Sequence, residues 1–258
     1  MIMPELPDLE VFALNLDKRF KGKILVALEV FVVNKLNVSV KQLQRSLEGK
    51  RLERASREGK TLQLHFEDAS VLGLHLMLHG ALKPLDQKDL KFQIMAFKFQ
   101  NGDGFALTDF QKLATPTFLP EVSLVPDALD ISYDYFAILL SKKRIQIKTL
   151  LMDQKLIRGI GNTYADEILW LAGISPFSIS KAIPEDKVKE LYKAIFKLLQ
   201  QEIAQIAQQL PVELNGEVLD FLKIHHSKLE KSPSGAKIKI AKKGGRKTYF
   251  TDEQQLFS

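Results

Sequence analysis

IKTLLMDQKLIRGIGNTYADEILWLAGISP, residues 147–176, is the stretch whose reading decides the fold. Ile147, Leu150 and Leu151 share one stripe at helical spacing, which predicts a helix over 147–154. A second helix is predicted from Asn162, a favoured N-cap residue, through Thr163 to about Ala172, with Gly173 as a stop signal and Pro176 beyond it. Gly159, Ile160 and Gly161 lie between them in a turn. Such a turn can aim backbone N–H groups and the positive end of the second helix at an anion, and it suits a phosphate. Gly-x-Gly before a helix is a weak signal, and an ordinary helical hairpin in a core accounts for the spacing as well.

Outward from this stretch the texture divides. On the C-terminal side a long amphipathic helix is expected from Pro184 through Val188, Leu191, Ile195, Leu198 and Leu199 to about Gln209. AKIKI (236–240) and RKTYF (246–250) then read as a basic β-hairpin around a Lys and Gly turn. On the N-terminal side Tyr133–Lys142 is helical in pattern, and a Pro-bearing segment at 114–126 reads as a linker. Before it, strand character runs from Lys23 to about Val40 and returns at 51–56, 61–66, 71–78, 92–99 and 104–108, with a hairpin turn at QNGDG, 100–104. Pro7 and Asp8 start a leading helix whose Leu9, Phe12, Leu16 and Phe20 form one stripe. The expected class is α+β. The expected layout is an N-terminal β-sandwich over 1–115, a linker at 116–130, a helical domain at 131–220 and a hairpin module at 221–258.

The 258 residues suffice for two modest cores, and 45% hydrophobic with 26% charged residues is the composition of a globular protein. No apolar run is long enough for a bilayer span, and no signal-peptide pattern opens the chain, so a cytoplasmic protein without membrane partners is expected. The absence of cysteine removes disulfides, thiol nucleophiles and thiolate zinc sites. The net charge of +6 is mild, but its distribution is not: Lys223 to Lys247 carries nine Lys or Arg against the single acid Glu230. A basic patch of that density suits phosphate contact, although a solvated tail has the same composition.

The run Lys148, Asp153, Gln154, GIGN at 159–162, Tyr164, Ala165, Asp166 and Glu167 resembles the helix-two-turn-helix of the formamidopyrimidine-DNA glycosylase and endonuclease VIII family. PELPDLE, residues 4–10, matches that family's amino-terminal signature. The resemblance implies a base-excision repair glycosylase acting on oxidised bases, with β/δ-elimination abasic-site lyase activity. Pro4 would be the nucleophile and Glu5 the acid/base. The chemistry is sound, because a terminal amine with a pKa of about 8 keeps a neutral fraction that can attack C1′ and form a Schiff base. Met1, Ile2 and Met3 precede Pro4 here. Initiation at Met3 with Met removal frees the amine, whereas retention of Met1 gives the alternative, an inactive paralogue that binds damaged or abasic DNA.

Further residues carry over by position. Lys60 in REGKTLQLHF would lie near the lesion's phosphate and sugar. GLHLMLHGAL, 73–82, matches the void-filling loop, with Leu78 as wedge, His79 facing DNA and His75 structural. In Thr108–Ala114 the family's Arg and Phe are replaced by Lys112, facing DNA, and Leu113, filling the void. Lysine lacks the two-pronged contact of arginine, so weaker opposite-base discrimination is expected, as on the endonuclease VIII side or in a degenerate reader. GGRKTYFTDEQQ, 244–255, keeps the finger's arginine as Arg246, while Thr251 and Gln254 stand where cysteines would be and the earlier pair is lost around Ser232–Gly235. His225 and His226 alone cannot rebuild a four-ligand site, so a zincless finger with no metal and no cofactor is expected. Lys148, Gly161, Asn162 and Arg246 would converge on phosphates of a duplex held between the β and helical domains. The partner would be double-stranded DNA carrying a damaged base or abasic site, and the protein a monomer.

Overall fold

A computed structural model describes residues 3–87, 90–216, 218–243 and 245–258. The chain forms two compact units, Met1–Val122 with Ile206–Glu217, and Ser123–Gln205 with Val218–Ser258.

The first unit is a sandwich of two four-stranded antiparallel sheets behind a leading helix, α1 (Leu6–Phe20). Leu9, Phe12, Leu16 and Phe20 are buried as their spacing requires. One sheet has the order β1 (Leu25–Val30), β6 (Gln93–Phe99), β7 (Gly104–Thr108), β5 (Ala81–Pro84). The other runs β2 (Leu52–Glu58), β3 (Thr61–Phe66), β4 (Val71–His75), β8 (Thr115–Phe118). Phe20 stacks on Phe99 at 4.7 Å and Phe97 on Phe105 at 4.6 Å, and Leu62, Leu64, Leu72 and Leu74 of the second sheet join the same core.

Several boundaries differ from expectation, each for a local reason. Strand character ends at Val30, and Val40–Leu47 is a helix, α2, capped by Ser39 Oγ, which accepts from Gln42 N at 3.2 Å. Leu43 and Leu47, one helical turn apart, bury its inner face, a spacing that the β-branched Val38 and Val40 before it obscured. The segment expected as linker begins with β8, which tolerates Pro116 because it lies at a sheet edge. The strand expected over 71–78 stops at His75 and leaves Leu78 in a turn.

The second unit contains α3 (Tyr133–Lys142), α4 (Ile147–Met152), α5 (Asn162–Leu171), most of α6 (Glu185–Gln209), and the hairpin β9 (Lys239–Lys243) with β10 (Arg246–Phe250). The hairpin's first strand lies three residues beyond the expected AKIKI, pairing Lys239 with Phe250 and Lys243 with Arg246. It belongs to the same compact unit as α4 and α5. The segment Ile206–Glu217 groups with the first unit, where the Asn15 side-chain amide donates to the carbonyls of Leu210 and Glu213 at 2.8 Å each. No helix among the described residues is long and apolar enough to cross a membrane.

Candidate nucleic-acid interface

Pro4 and Glu5 stand at the head of α1. Glu5 is the buried N-cap residue, and its N–H donates to Asp8 Oδ2 at 2.9 Å in a capping box that fixes the helix start. One turn on, Glu10 Oε2 accepts from Arg57 Nε at 2.7 Å, and Arg57 Nη1 donates to the Gly59 carbonyl at 3.0 Å. Arg57 therefore ties α1 to the β2–β3 turn where Lys60 sits, half-buried beside Gly59 at φ +56°. Neither Glu10 nor Arg57 was identified from sequence, because nothing in a linear reading pairs residues 47 apart.

Two loops of this unit carry the expected void-filling residues. In the first, Gly80 N donates to the Leu76 carbonyl at 2.9 Å, and a Cβ on Gly80 would lie 2.1 Å from that oxygen, so the turn requires glycine. His75 Nδ1 accepts from Met77 N at 3.1 Å, which holds the turn from the other side. Burial, and then the Lys60 charge, lower the His75 pKa, which favours the neutral ring this acceptor role demands. Leu78 is 44% exposed at the tip. In the second loop the buried Asp109 carboxylate accepts from the backbone N–H groups of Gln111, Leu113 and Ala114 at 2.9, 2.8 and 2.8 Å. That clamp sustains Lys112 at φ +56° and presents the exposed Lys112 side chain and Leu113, 39% exposed. The loops meet where His79 and Phe110 approach to 4.5 Å between ring centroids. Asp109 and Phe110 were given no role from sequence. An Asp followed two residues on by a turn N–H is a readable sign of an Asx turn.

In the second unit, Gln154 shapes the two-turn stretch: its Oε1 accepts from Gly159 N at 2.9 Å and its Nε2 donates to the Ile160 carbonyl at 2.8 Å. Gly159 has φ +101°, outside the range of an ordinary side chain. The N-cap of α5 is the buried Gly161, and Asn162 is the first helical residue, correcting the expected cap. Its side chain instead reaches the hairpin, Nδ2 donating to the Lys247 carbonyl at 3.0 Å, while its buried Oδ1 has no hydrogen-bond partner among the described residues. Asn162, Lys148, Gln154, Phe177, Thr248 and Arg246 are among the residues around a cavity of about 440 Å³. Arg246 is exposed at the start of β10.

The surroundings of Lys148 give it a structural role that its sequence position did not reveal. Its buried ammonium is 2.7 Å from Asp166 Oδ1 and donates to Thr248 Oγ1 at 2.9 Å and the Lys247 carbonyl at 3.3 Å. Asp166 Oδ2 meets His225 Nδ1 at 2.7 Å and accepts from Tyr249 N at 2.9 Å. Lys148 thus anchors the hairpin against α5 while lining the same cavity as Asn162 and Arg246. The adjacent Glu167 accepts from the N–H groups of Lys223, Ile224 and His225; burial raises its pKa against the pull of those three donors. The sequence pair Asp166–Glu167 therefore seats the basic segment on the helix.

Around the finger, hydrogen bonds occupy the expected cysteine positions. Thr251 N donates to Gln254 Oε1 at 2.9 Å, and Gln254 Nε2 donates to the Ile174 carbonyl at 2.9 Å, all buried. Ser232 Oγ lies 2.6 Å from Ser234 Oγ, which donates to Glu253 Oε2 at 2.7 Å.

Comparison with known proteins identifies the family. Residues 3–115 match the formamidopyrimidine-DNA glycosylase N-terminal domain, and residues 123–211 the formamidopyrimidine-DNA glycosylase H2TH domain. The chain is 34% identical over 200 residues to a formamidopyrimidine-DNA glycosylase of Carboxydothermus hydrogenoformans, covering 76% of each. It is 30% identical over 267 residues to that of Lactococcus lactis subsp. cremoris, covering 96% of this chain and 97% of the relative. Among solved structures, a complex between the LlFpg protein, a THF-DNA and an inhibitor superposes with a TM-score of 0.88 at 28% identity, covering 98% of this chain and 100% of that one. A complex between the Lactococcus lactis Fpg and an abasic site containing DNA gives 0.85 at 27% identity, covering 98% and 99%. By sequence over nearly its whole length and by fold, the chain belongs to the formamidopyrimidine-DNA glycosylase family.

Proposed function

We propose that this protein is a DNA glycosylase that removes oxidised bases from double-stranded DNA and cuts the strand at the resulting abasic site. The observation that carries the reading is the placement of Pro4–Glu5 at the head of α1, in one compact unit with Lys60 and the two loops that present Leu78 and Leu113. The Pro4 amine, once it is the chain terminus, attacks C1′ as the damaged base departs, and Glu5 moves the proton on the sugar oxygen. The resulting iminium acidifies C2′–H, and loss of that proton expels the 3′ phosphate. Lys60 supplies positive charge to the phosphate and sugar, Leu78 and Leu113 fill the space of the extruded nucleotide, and His79 and Lys112 face the duplex.

Arg246, with Asn162 and the turn at Gly161, binds backbone phosphate. A hairpin that places Lys242 directly opposite Lys247 supports this, since like charges at a cross-strand pair are unfavourable until an anion lies between them. Lys148 acts behind them as an anchor. The match to the N-terminal domain starts at Met3, directly before Pro4, which supports Pro4 as the working terminus.

The test is borohydride trapping on abasic-site DNA with protein whose first residue has been fixed by intact mass. A covalent adduct from a chain beginning at Pro4, lost in Pro4→Gly, is expected. No adduct from that chain would leave a DNA-binding protein without lyase activity.

A further inference from the structure

Phe110 is the one residue of the second loop whose exposure and contacts point to a ligand that its backbone role does not explain. Its side chain is 52% exposed, although the adjacent Asp109 carboxylate fixes the loop backbone through three N–H bonds and Asp109 N is itself held by the Phe92 carbonyl at 2.9 Å. A loop clamped this firmly has no need of an exposed aromatic ring for its own stability. The ring is not left to solvent on both sides: the His79 imidazole lies 4.5 Å away, tilted by 44°. His79 comes from the loop that carries Leu78, so the two rings join the two loops. The neighbouring Leu113 is aliphatic, with bulk to fill a gap but no π face to offer.

We infer that Phe110, backed by His79, is a stacking platform for the base left without a partner when the damaged nucleotide is turned out of the duplex. The inference rests on the DNA reading above. It assigns the opposite-strand contact to a π surface and leaves Lys112, a single-pronged donor, a secondary role in it. Recognition by stacking is tolerant of base identity and follows ring size, because every base has a π face and purines have the larger one. The protein therefore prefers a purine to a pyrimidine opposite the lesion and distinguishes poorly between the two purines.

The experiment uses the full chain and a duplex with a tetrahydrofuran abasic analogue opposite 2-aminopurine. Wild-type protein is expected to quench the 2-aminopurine and to bind purine-opposite duplexes several-fold more tightly than pyrimidine-opposite ones. Phe110→Ala should abolish the quench, erase the purine preference and weaken binding roughly ten- to hundredfold, the usual effect of removing one stacked aromatic. Phe110→Trp should restore all three, while Phe110→Leu, which keeps apolar bulk at this exposed site, should behave as the alanine variant and report on folding. Unchanged quenching and affinity in Phe110→Ala and Phe110→Leu would overturn the inference while leaving DNA binding intact. Failure of the wild-type protein to bind the tetrahydrofuran duplex at all would remove the DNA reading and this inference with it.

Discussion

Arg57 Nε donates to Glu10 Oε2 at 2.7 Å, joining the leading helix to the turn that carries Lys60 through a guanidinium whose side chain is 5% exposed. The pair holds Pro4 and Glu5 at one end and Lys60 at the other in a fixed relation, so its effect should fall on reaction rate more than on binding. Arg57→Ala is expected to lower stability by about 1–3 kcal/mol, less than a fully buried pair because Glu10 remains partly solvated. At saturating abasic DNA its rate of borohydride-trappable adduct formation should fall at least tenfold, while Kd for a tetrahydrofuran duplex changes by under threefold. Arg57→Lys should recover part of the stability but little of the rate, since lysine cannot reach Glu10 and the Gly59 carbonyl together. Wild-type trapping kinetics in Arg57→Ala would refute the positioning role.

Lys148 and Arg246 lie beside the same cavity but differ in what salt should reveal. Arg246 is exposed and, as a phosphate ligand, releases a counterion when it binds. Arg246→Ala should weaken DNA binding and reduce the slope of log K against log salt by about one. Lys148 is spent on Asp166, Thr248 and the Lys247 carbonyl. Lys148→Met should weaken binding through a displaced hairpin with the slope unchanged, and should cost about 3–5 kcal/mol of stability by leaving Asp166 buried without its ammonium. A salt slope reduced by one unit in Lys148→Met would return Lys148 to the phosphate contacts.

How much of this was legible in the sequence depended on whether the signal was local. The amphipathic stripe of α1, the QNGDG hairpin and the paired helices around Gly159–Gly161 are written within short windows, and the structure has them within a few residues. Leu78, Lys112 and Leu113, singled out by resemblance, lie exposed in loops. What was not legible is set by contacts across long separations. Lys148 reads as a basic residue beside an anion-binding turn, and only the fold brings Thr248, 100 residues on, against its ammonium. Asn162 reads as a cap because residue type is all a linear reading has. Gly161 adopts the extended cap conformation and frees the amide to cross to the hairpin. The β8 strand hid behind Pro116, which argues against a central strand but not against an edge.

His75 predicts a pH dependence with a definite sign. Burial, and next the Lys60 charge, hold its pKa in the folded protein below the ordinary 6.5. Between that lowered value and 6.5 the unfolded chain binds more protons than the folded one, so stability falls as pH drops through this window and is fully present above it. Protonation also removes the acceptor for Met77 N–H, which should loosen the loop bearing Leu78. His65, lowered by burial and then by Arg54, adds a slope of the same sign. His75→Asn, whose Oδ1 can take the place of Nδ1, should keep the loop and remove only the His75 share. Denaturant midpoints at pH 5 and pH 7 measure it, and equal slopes in wild type and His75→Asn would show that His75 carries none of the effect.

The finger region supplies a test in which stability and metal chemistry separate. Where four thiolates would organise a metal, Gln254 bridges Thr251 N and the Ile174 carbonyl, so the turn after β10 is pinned to the segment following α5 by one buried amide. An amide that satisfies one donor and one acceptor in a buried setting is worth more in its loss than in its presence, because both former partners are left unpaired. Gln254→Ala should therefore destabilise the second unit by about 2–4 kcal/mol. DNA affinity should fall with it, through disorder of the hairpin that carries Arg246. Gln254→Glu, isosteric but stripped of the donor to Ile174, should cost nearly as much. Treatment with a strong zinc chelator should leave the thermal midpoint and DNA binding of the wild-type protein where they were, since hydrogen bonds hold this turn. A midpoint that drops on chelation and returns on adding zinc would show that these residues hold a metal after all.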